Sequence, residues 1–371
     1  MENKIKNLKI SHFKSIEEIN ISCKKINIFI GKPNVGKSNI LEAISLLSPY
    51  NTSDVMKLGA SVIRYEQVKD LFYFKNSKLP IKIESNIGTA VVDYVYHADE
   101  YLYCLLPKDF QGIEQIIEND QYSNINVLKD NFEKSVSTLH DLNESTIPKR
   151  GIAPGFMEVS EDGKFRSDSF PTINNNPIKF YLFKKLLKEE LGKNRFYQYL
   201  LPPNGINLLA VLENYNNLMA FCQEKFEEYD LALLIDKYAV VNKLEILRVE
   251  KHYLYTIPYS SIADTLQRMI FHQAAIISNQ NSIILFEEPE AHSFPPYIKE
   301  LAESIAEDES NQYFIATHSP FILNTILENT SFENVNLFKV SYENHKTSLY
   351  KYSDEELGDL LNFGEDIFFN I

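Results

Sequence analysis

Gly31-Lys32-Pro33-Asn34-Val35-Gly36-Lys37-Ser38 is the stretch of sequence that decides the fold of this chain. It follows an apolar run at 26–30 and precedes a segment in which apolar residues recur at helical spacing. A strand, a glycine-containing loop and a helix, in that order, are the context of a phosphate-binding loop. Two glycines let the backbone curl until successive N–H groups converge on phosphates, and the N-terminus of the helix adds positive potential. The stretch therefore predicts a nucleotide-phosphate site.

The residues of this loop have separate predicted roles. Lys37 is expected to reach the β- and γ-phosphates, and the Ser38 hydroxyl is expected to ligate Mg²⁺. The other predicted nucleotide contacts are the rest of the loop and the residue that follows it, namely Gly31, Lys32, Pro33, Asn34, Val35, Gly36 and Asn39. A glycine-containing turn that binds nothing is the alternative interpretation, and the flanking strand and helix argue against it.

A second, acidic element lies far downstream. The apolar run Ile283-Ile284-Leu285-Phe286 ends abruptly in Glu287 and Glu288, which is the form of a Walker B motif. Hydrolysis of a nucleotide needs one carboxylate to hold Mg²⁺ and another to activate water. Glu287 is predicted to bind in the Mg²⁺ shell and Glu288 to polarise the attacking water. An acidic strand end exposed to solvent is the alternative.

A histidine follows the next apolar run. Gln312-Tyr313-Phe314-Ile315-Ala316 leads directly into Thr317 and His318. A histidine at such a strand terminus can donate a hydrogen bond to the γ-phosphate and so report whether that phosphate is present. His318 is therefore predicted to be a catalytic or sensing residue, with a purely structural role as the alternative.

One segment resembles the guanine-reading motif of GTPases. Asn242-Lys243-Leu244-Glu245 follows an apolar run, but it precedes the acidic strand, and no DxxG element follows the phosphate loop. This order favours ATP over GTP as the nucleotide.

Composition restricts the class of protein. The 371 residues are 44% hydrophobic and 24% charged, enough to bury a substantial core divided into two or three subdomains. The first residues lack the apolar core of a secretion signal, and no window approaches 18 uninterrupted apolar residues, which predicts a cytoplasmic protein with no membrane partner. Cys23, Cys104 and Cys222 are widely separated, which argues against a disulfide framework or a zinc site.

The chain divides into three predicted parts. Residues 1–106 form an N-terminal ATPase lobe, 107–245 a mainly helical insertion with a mobile loop at about 148–177, and 246–371 a C-terminal ATPase lobe. Within these parts the patterns predict antiparallel strands between 71 and 106 and helices at 52–64, 107–145, 179–191 and 207–237.

Together these elements resemble the ABC-type ATPase heads of the RecF, SMC and OLD group, and in particular stand-alone OLD-like ATPases. The opening Ile5–Ile16 is similar to the first strands of such heads, Glu287–His292 to their DEPEAH segment, and Ala316–Pro320 to their switch-histidine motif. The resemblance covers residues 1–100 and 200–340. It implies an α/β P-loop NTPase fold with a mixed parallel core sheet, an antiparallel β subdomain and a mainly helical insertion.

In that group a signature motif from a second subunit completes the ATP site. The best match is Pro258–Arg268, whose Ser260 and Ser261 would contact the γ-phosphate across a homodimer or higher oligomer. The glycines of the family are replaced here by residues such as Ile262 and Ala263. A helix N-cap at Ser261, paired with Asp264, is an alternative interpretation compatible with the first.

The resemblance implies an ATPase that dimerises around nucleotide and regulates a separately encoded effector, a nuclease or a toxin, in bacterial antiphage defence. A DNA-binding repair ATPase similar to RecF and a non-hydrolysing ATP-dependent scaffold are the alternatives. Direct DNA contact would use basic residues interleaved with aromatic ones, although the net charge of −14 argues against a DNA-coating protein. The first candidates are Lys179, Lys184, Lys185, Lys188, Lys193 and Arg195, and the second are Lys4, Lys6, Lys9 and Lys14.

Overall fold

The computed structural model describes residues 3–48, 57–59, 62–96, 99–108, 155–166, 176–187, 190–191, 197–236, 243–250 and 253–363. The chain forms two units. The first comprises Met1–Lys179 and Asn336–Tyr352, and the second comprises Phe180–Val335 and Ser353–Asn370. The phosphate loop belongs to the first unit, and the acidic segment and His318 belong to the second.

The strands are β1 Asn7–Phe13, β2 Ile16–Ser22, β3 Ile26–Ile30, β4 Ile81–Ser85, β5 Gly88–Val95, β6 Glu100–Pro107, β7 Gly155–Val159, β8 Ile178–Tyr181, β9 Leu231–Asp236, β10 Lys243–Glu250, β11 Tyr253–Pro258, β12 Ile283–Glu287, β13 Gln312–Ala316, β14 Val335–Glu343 and β15 Lys346–Lys351. The α-helices are α1 Lys37–Ser45, α2 Leu208–Asn214, α3 Asn216–Glu227, α4 Asp264–Ile277, α5 Pro295–Glu307, α6 Pro320–Asn329 and α7 Asp354–Phe363.

An antiparallel sheet in the first unit has the order β2-β1-β4-β5-β6-β7. Alternating burial along β2 shows why it forms, since one face packs inward and the other meets solvent. In the same unit β14 pairs with β3 and forms an antiparallel hairpin with β15, in which Tyr342 lies opposite Thr347. This hairpin approaches the phosphate loop.

The second unit contains a parallel pair and a separate antiparallel sheet. β12 and β13 run parallel, with Glu287 opposite Ala316 at their carboxyl ends, so both predicted strands are confirmed. Their residues are buried almost without interruption, as expected for strands covered on both faces. β11, β10 and β9 form the antiparallel sheet. The mixture of parallel and antiparallel strands with helices confirms the predicted α/β fold class.

Several segmental predictions were wrong. Ile178–Tyr181 is a strand and 182–187 contains no helix, where 179–191 was predicted to be helical. Each residue of β8 is buried, and a short run that is buried on all sides has no periodicity that separates a strand from a helix. Similarly, 207–237 ends in β9 rather than continuing as helix, and Tyr73–Lys75 is a 3₁₀ turn rather than a strand.

The predicted insertion and its loop are described only in part. Residues 155–159, inside the segment predicted to be a mobile loop, form β7 and pair with β6, which corrects that part of the prediction. The helix predicted at 107–145 lies outside the described residues, apart from its first two positions. The three-part division of the chain stays a prediction.

Candidate functional site

The phosphate loop connects β3 to α1 in the first unit, as the sequence predicted. Its two glycines occupy positions that a side chain could not. Gly36 has a φ of 102°, and a Cβ there would lie 2.2 Å from Oγ1 of Thr347. A Cβ on Gly31 would lie 2.3 Å from the backbone oxygen of Val340. Asn34 has a left-handed φ of 61°, which asparagine tolerates better than most residues.

Helix α1 begins immediately after Gly36, its N-cap. Its first turn contains no acidic residue, so the positive end of the helix dipole is not neutralised locally. Within this turn Ser38 is half-buried. The loop therefore presents backbone N–H groups and a helix N-terminus, which is the arrangement that binds phosphate in many proteins.

Lys37 lies across this loop. Its side chain is buried, and Nζ donates hydrogen bonds to the backbone oxygens of Gly31 at 2.9 Å and Lys32 at 2.8 Å. These bonds hold the ammonium group against the loop backbone. An anion arriving at the loop would meet a positive charge that is already positioned there.

The residue after Ser38 takes part in a hydrogen-bond network behind the loop. Nδ2 of Asn39 donates to Oγ of Ser15 at 2.7 Å, and Ser15 Oγ lies 2.6 Å from Oγ1 of Thr347. Thr347 Oγ1 in turn donates to the backbone oxygen of Val35 at 2.9 Å. No role was assigned to Ser15 from the sequence, and Thr347 was not singled out because it lies more than 300 residues from the loop.

The predicted acidic residues are at the carboxyl end of β12 in the second unit. Glu287 is the last residue of the strand, and the backbone N–H of Glu288 continues the parallel ladder by donating to Ala316 at 2.8 Å. Glu288 then has a φ of 43°, a left-handed conformation that is unusual for a non-glycine residue, and it precedes Pro289. Such conformations are concentrated at functional sites.

Glu288 and His318 come together at the ends of the two parallel strands. Nε2 of His318 lies 3.6 Å from Oε1 of Glu288, and both side chains are partly exposed. The carboxyl ends of adjacent parallel strands meet at one edge of a sheet, so the two predicted residues are placed in one cluster. Below them, Ser319 caps α6 by accepting a hydrogen bond from the N–H of Ile322.

Glu290 supports this cluster and was not assigned a role from the sequence. Its Oε1 accepts hydrogen bonds from Oγ1 of Thr317 and from the backbone N–H of His318, both at 2.7 Å. Oε2 is buried without a hydrogen-bond partner among the residues that the structure describes. Burial raises the pKa of this carboxyl above its ordinary value. The signal that could have found it is its position, since Glu290 follows one strand end and Thr317 follows the neighbouring one.

The signature-like segment lies before α4 and is anchored by two buried side chains. Tyr259 and Ile262 are 4% and 7% exposed, and Nε2 of Gln267 donates to the backbone oxygen of Ile262 at 3.0 Å. Ser260 is half-buried, whereas Ser261 is exposed and is one of the residues that line a cavity of 460 Å³. The buried side chains of Tyr259 and Ile262 thus anchor the segment, while Ser261 is exposed to solvent.

The alternative interpretation of Ser261 as a helix N-cap was wrong. Ser261 ends a 3₁₀ turn, Tyr259–Ser261, and the N-cap of α4 is Ala263, which forms no side-chain cap. Asp264 instead pairs with Arg268 one turn later, at 2.8 Å. The serine is therefore not occupied in capping this helix.

Several described members of the two predicted basic clusters are buried or paired with acidic residues. Lys179 is 4% exposed, and burial lowers its pKa to about 7. Phe180 and Tyr181, the aromatic residues beside it, belong to the core. In the second cluster Lys14 is paired with the fully buried Glu42, and Lys9 with Glu18.

The remaining candidates in this second cluster, Lys4 and Lys6, form no cation–π contact with an aromatic ring in the described part of the chain. In the first cluster Lys184 and Lys185 are exposed, whereas Lys188, Lys193 and Arg195 lie outside the described residues.

Cysteine and metal chemistry is limited in the described part of the chain. Cys104 and Cys222 are buried free thiols, and burial raises the pKa of each to about 12, which makes them unreactive. Among the described residues there is no cluster of three or more His, Cys, Asp or Glu side chains that could hold a metal by itself. No helix in those ranges is long and apolar enough to cross a bilayer.

The solved structures that are similar to this chain include three SMC head domains. One, an Smc head bound to the C-winged helix domain of ScpA, is 13% identical, with 96% of this chain and 99% of that chain covered and a TM-score of 0.47. The second is an Smc head domain with an extended coiled coil bound to the C-terminal domain of ScpA derived from Pyrococcus furiosus. It is 14% identical, covers 98% and 99% of the two chains and has a TM-score of 0.46. The third, an SMC head domain from Thermotoga maritima, is 10% identical, with coverages of 94% and 99% and a TM-score of 0.39.

Comparison with curated proteins produced no match. A family model described as the AAA ATPase domain matches residues 4–253, more than half of the chain and inclusive of the whole phosphate loop. The acidic segment and His318 follow the matched range. The chain therefore belongs to the AAA ATPase domain family.

Proposed function

We propose that this protein binds ATP and hydrolyses it. The observation that carries the proposal is the phosphate loop, in which two glycines in sterically closed positions, the buried Lys37 and an uncompensated helix N-terminus converge. Membership of the AAA ATPase domain family supports the same function. The Glu288–His318 cluster supports hydrolysis in addition to binding, because it supplies a carboxylate and an imidazole at the adjacent ends of two parallel strands.

Each group has a proposed role. Lys37 and the loop N–H groups bind the phosphates. The carboxylate of Glu288 accepts a proton from the attacking water, and His318 donates a hydrogen bond to the γ-phosphate. Ser38 and Glu287 each supply an oxygen, a hydroxyl and a carboxylate respectively, and oxygen is the type of ligand that Mg²⁺ prefers. When bound, Mg²⁺ would neutralise charge on the phosphates. Glu287 replaces the aspartate of the related motif and is one methylene longer, which is compatible with slow turnover.

A Glu288→Gln variant tests hydrolysis. Glutamine keeps the size of the side chain but cannot accept the proton from water, so we expect phosphate release to fall by at least about 100-fold, in line with general-base contributions. ATP binding, measured by calorimetry, should stay close to that of the wild type. A Lys37→Ala variant is the matched control, since it should lose binding as well.

The outcomes separate the alternatives. If the wild type releases no more phosphate than Glu288→Gln but binds ATP, the protein is an ATP-dependent scaffold. If neither protein binds ATP, the proposal fails.

We further propose that ATP drives head dimerisation and that this closure regulates a separately encoded effector, a nuclease or a toxin, in antiphage defence. The exposed position of Ser261 supports a contact with a second subunit, and the resemblance to stand-alone OLD-like ATPases supports the effector. Size-exclusion chromatography of the Glu288→Gln variant should show a dimer that forms only with ATP. This dimer should be absent when Ser261→Arg is added to the same variant. Co-expression with the product of the adjacent gene should change the activity of that product in an ATP-dependent way.

Direct DNA binding is the competing outcome. Gel-shift assays at two salt concentrations would detect it, because contacts with phosphates weaken steeply with salt. A salt-sensitive shift that persists without any effector would favour the repair ATPase.

A further inference from the structure

The two glycines of the phosphate loop are closed off by a single element, the hairpin β14–β15. Val340 of β14 places its backbone oxygen where a Cβ of Gly31 would lie, and Thr347 of β15 places its hydroxyl where a Cβ of Gly36 would lie. Both contacts belong to the first unit. A Cβ on Gly31 would lie only 2.3 Å from the Val340 oxygen, and a Cβ on Gly36 only 2.2 Å from the Thr347 hydroxyl oxygen. The hairpin therefore packs so close to the loop that only glycine fits at these two positions.

Thr347 also holds the loop by hydrogen bonds, and the direction of each bond follows from the chemistry. A backbone oxygen can only accept, so Thr347 donates its one hydroxyl hydrogen to Val35. The hydroxyl of Ser15 must then donate to Thr347, and Ser15 accepts in turn from Nδ2 of Asn39. The N–H of Thr347 closes the link by donating to the backbone oxygen of Ser15 at 2.8 Å.

This series of hydrogen bonds sets the orientation of one peptide group in the loop, the one between Val35 and Gly36. In a planar trans peptide the C=O and the following N–H point in opposite directions. Holding the oxygen of Val35 toward Thr347 therefore directs the N–H of Gly36 away from Thr347. Thr347 is 2% exposed, so water does not compete for its hydroxyl.

We propose that Thr347 is a positioning residue for nucleotide: through Val35 it fixes the Gly36 N–H as a phosphate donor, with Ser15 and Asn39 fixing Thr347. This inference rests on the proposed function and deepens it, since it assigns phosphate recognition partly to a strand more than 300 residues from the loop. Without the hydroxyl, the Val35–Gly36 peptide can rotate, and the loop loses one preorganised donor.

Thr347→Val tests the inference, because valine has nearly the same shape and lacks the hydroxyl. We expect the Kd for ATP, measured by calorimetry, to rise at least about five-fold, the effect of one lost hydrogen bond. The KM for ATP should rise by a similar factor and kcat should change less. Thr347→Ser keeps the hydroxyl and should restore binding to within about two-fold of the wild type.

Ser348→Ala is the matched control, since it lies on the opposite face of β15 and should leave the Kd unchanged. Ser15→Ala removes the donor to Thr347 without altering the hairpin and should weaken binding in the same direction, which covers the case that Thr347→Val does not fold. A lower melting temperature with an unchanged Kd in Thr347→Val would overturn the inference, because it would show a structural role only. If the wild type itself bound no ATP, the proposed function would fail first, and this inference with it.

Discussion

At the scale of single residues, burial decides which charged and polar groups can act. Glu288 and His318 are partly exposed at the strand ends, whereas Glu290 is tied to Thr317 and to the backbone of His318. Lys179, by contrast, is buried in a strand and is removed from any role on the surface. Residues of the same type in the sequence therefore differ in exposure and in hydrogen bonding because of their surroundings.

Glu290 is expected to hold the His318 segment in place. Glu290→Ala removes the acceptor of two hydrogen bonds, and we expect the free energy of unfolding to fall by about 1–3 kcal/mol, with a matching loss of ATP turnover. Glu290→Gln keeps Oε1 as an acceptor and should retain most of the stability and most of the ATP turnover. Urea unfolding and phosphate release measure the two effects, and equal behaviour of the two variants would contradict this role.

At the scale of elements, the signature-like segment shows how a short turn is fixed before a helix. Tyr259 anchors the 3₁₀ turn from inside, yet its hydroxyl is buried without a hydrogen-bond partner within the described part of the chain. Burial raises the pKa of this phenol far above its ordinary value. The ring therefore stabilises the segment, and the hydroxyl does not.

Removing the hydroxyl of Tyr259 is not expected to lower the free energy of unfolding. Tyr259→Phe should unfold at the same urea concentration as the wild type or at a higher one, because a buried polar group without a partner is destabilising. Tyr297→Phe is the control, since the hydroxyl of Tyr297 forms a 2.8 Å hydrogen bond with that of Tyr229. This control should lose about 0.5–1.5 kcal/mol. A larger loss in Tyr259→Phe than in the control would show that the hydroxyl has a partner.

At the scale of the whole molecule, stability should depend on pH through a core histidine. His272 on α4 is 3% exposed and lies edge-on to Phe271 and Phe286. Burial lowers the pKa of this imidazole from its ordinary value of 6.5 to about 3. The unfolded chain therefore takes up a proton below pH 6.5 that the folded chain does not take up until about pH 3. Stability is consequently lost as the pH falls through this window.

The expected size of this effect is about 2 kcal/mol of unfolding free energy between pH 7 and pH 5. His272→Gln cannot titrate, so its stability should change less over that range, whatever its stability at pH 7. Urea titrations of both proteins at pH 7, 6 and 5 measure the difference. Parallel loss of stability in the two proteins would assign the acid sensitivity to other groups.

The sequence by itself determined the features that depend on neighbouring residues. A strand, a glycine loop and a helix follow one another around Lys37, and an apolar run must end where Glu287 and Glu288 begin, so local order was enough to predict β3, α1, β12 and β13. The positive φ of Gly36 agrees with the curl predicted for the loop. The proximity of Glu288 to His318, by contrast, depends on the pairing of β12 with β13.

Only the tertiary structure decided which distant residues support these groups. Thr347 reaches the loop from β15, and β8 is a buried strand although its sequence resembles a basic helix. Long-range packing controls both, because burial and close approach depend on segments hundreds of residues apart that no local pattern encodes. The chemistry of the site is therefore local in the sequence, and the preorganisation of that chemistry is not.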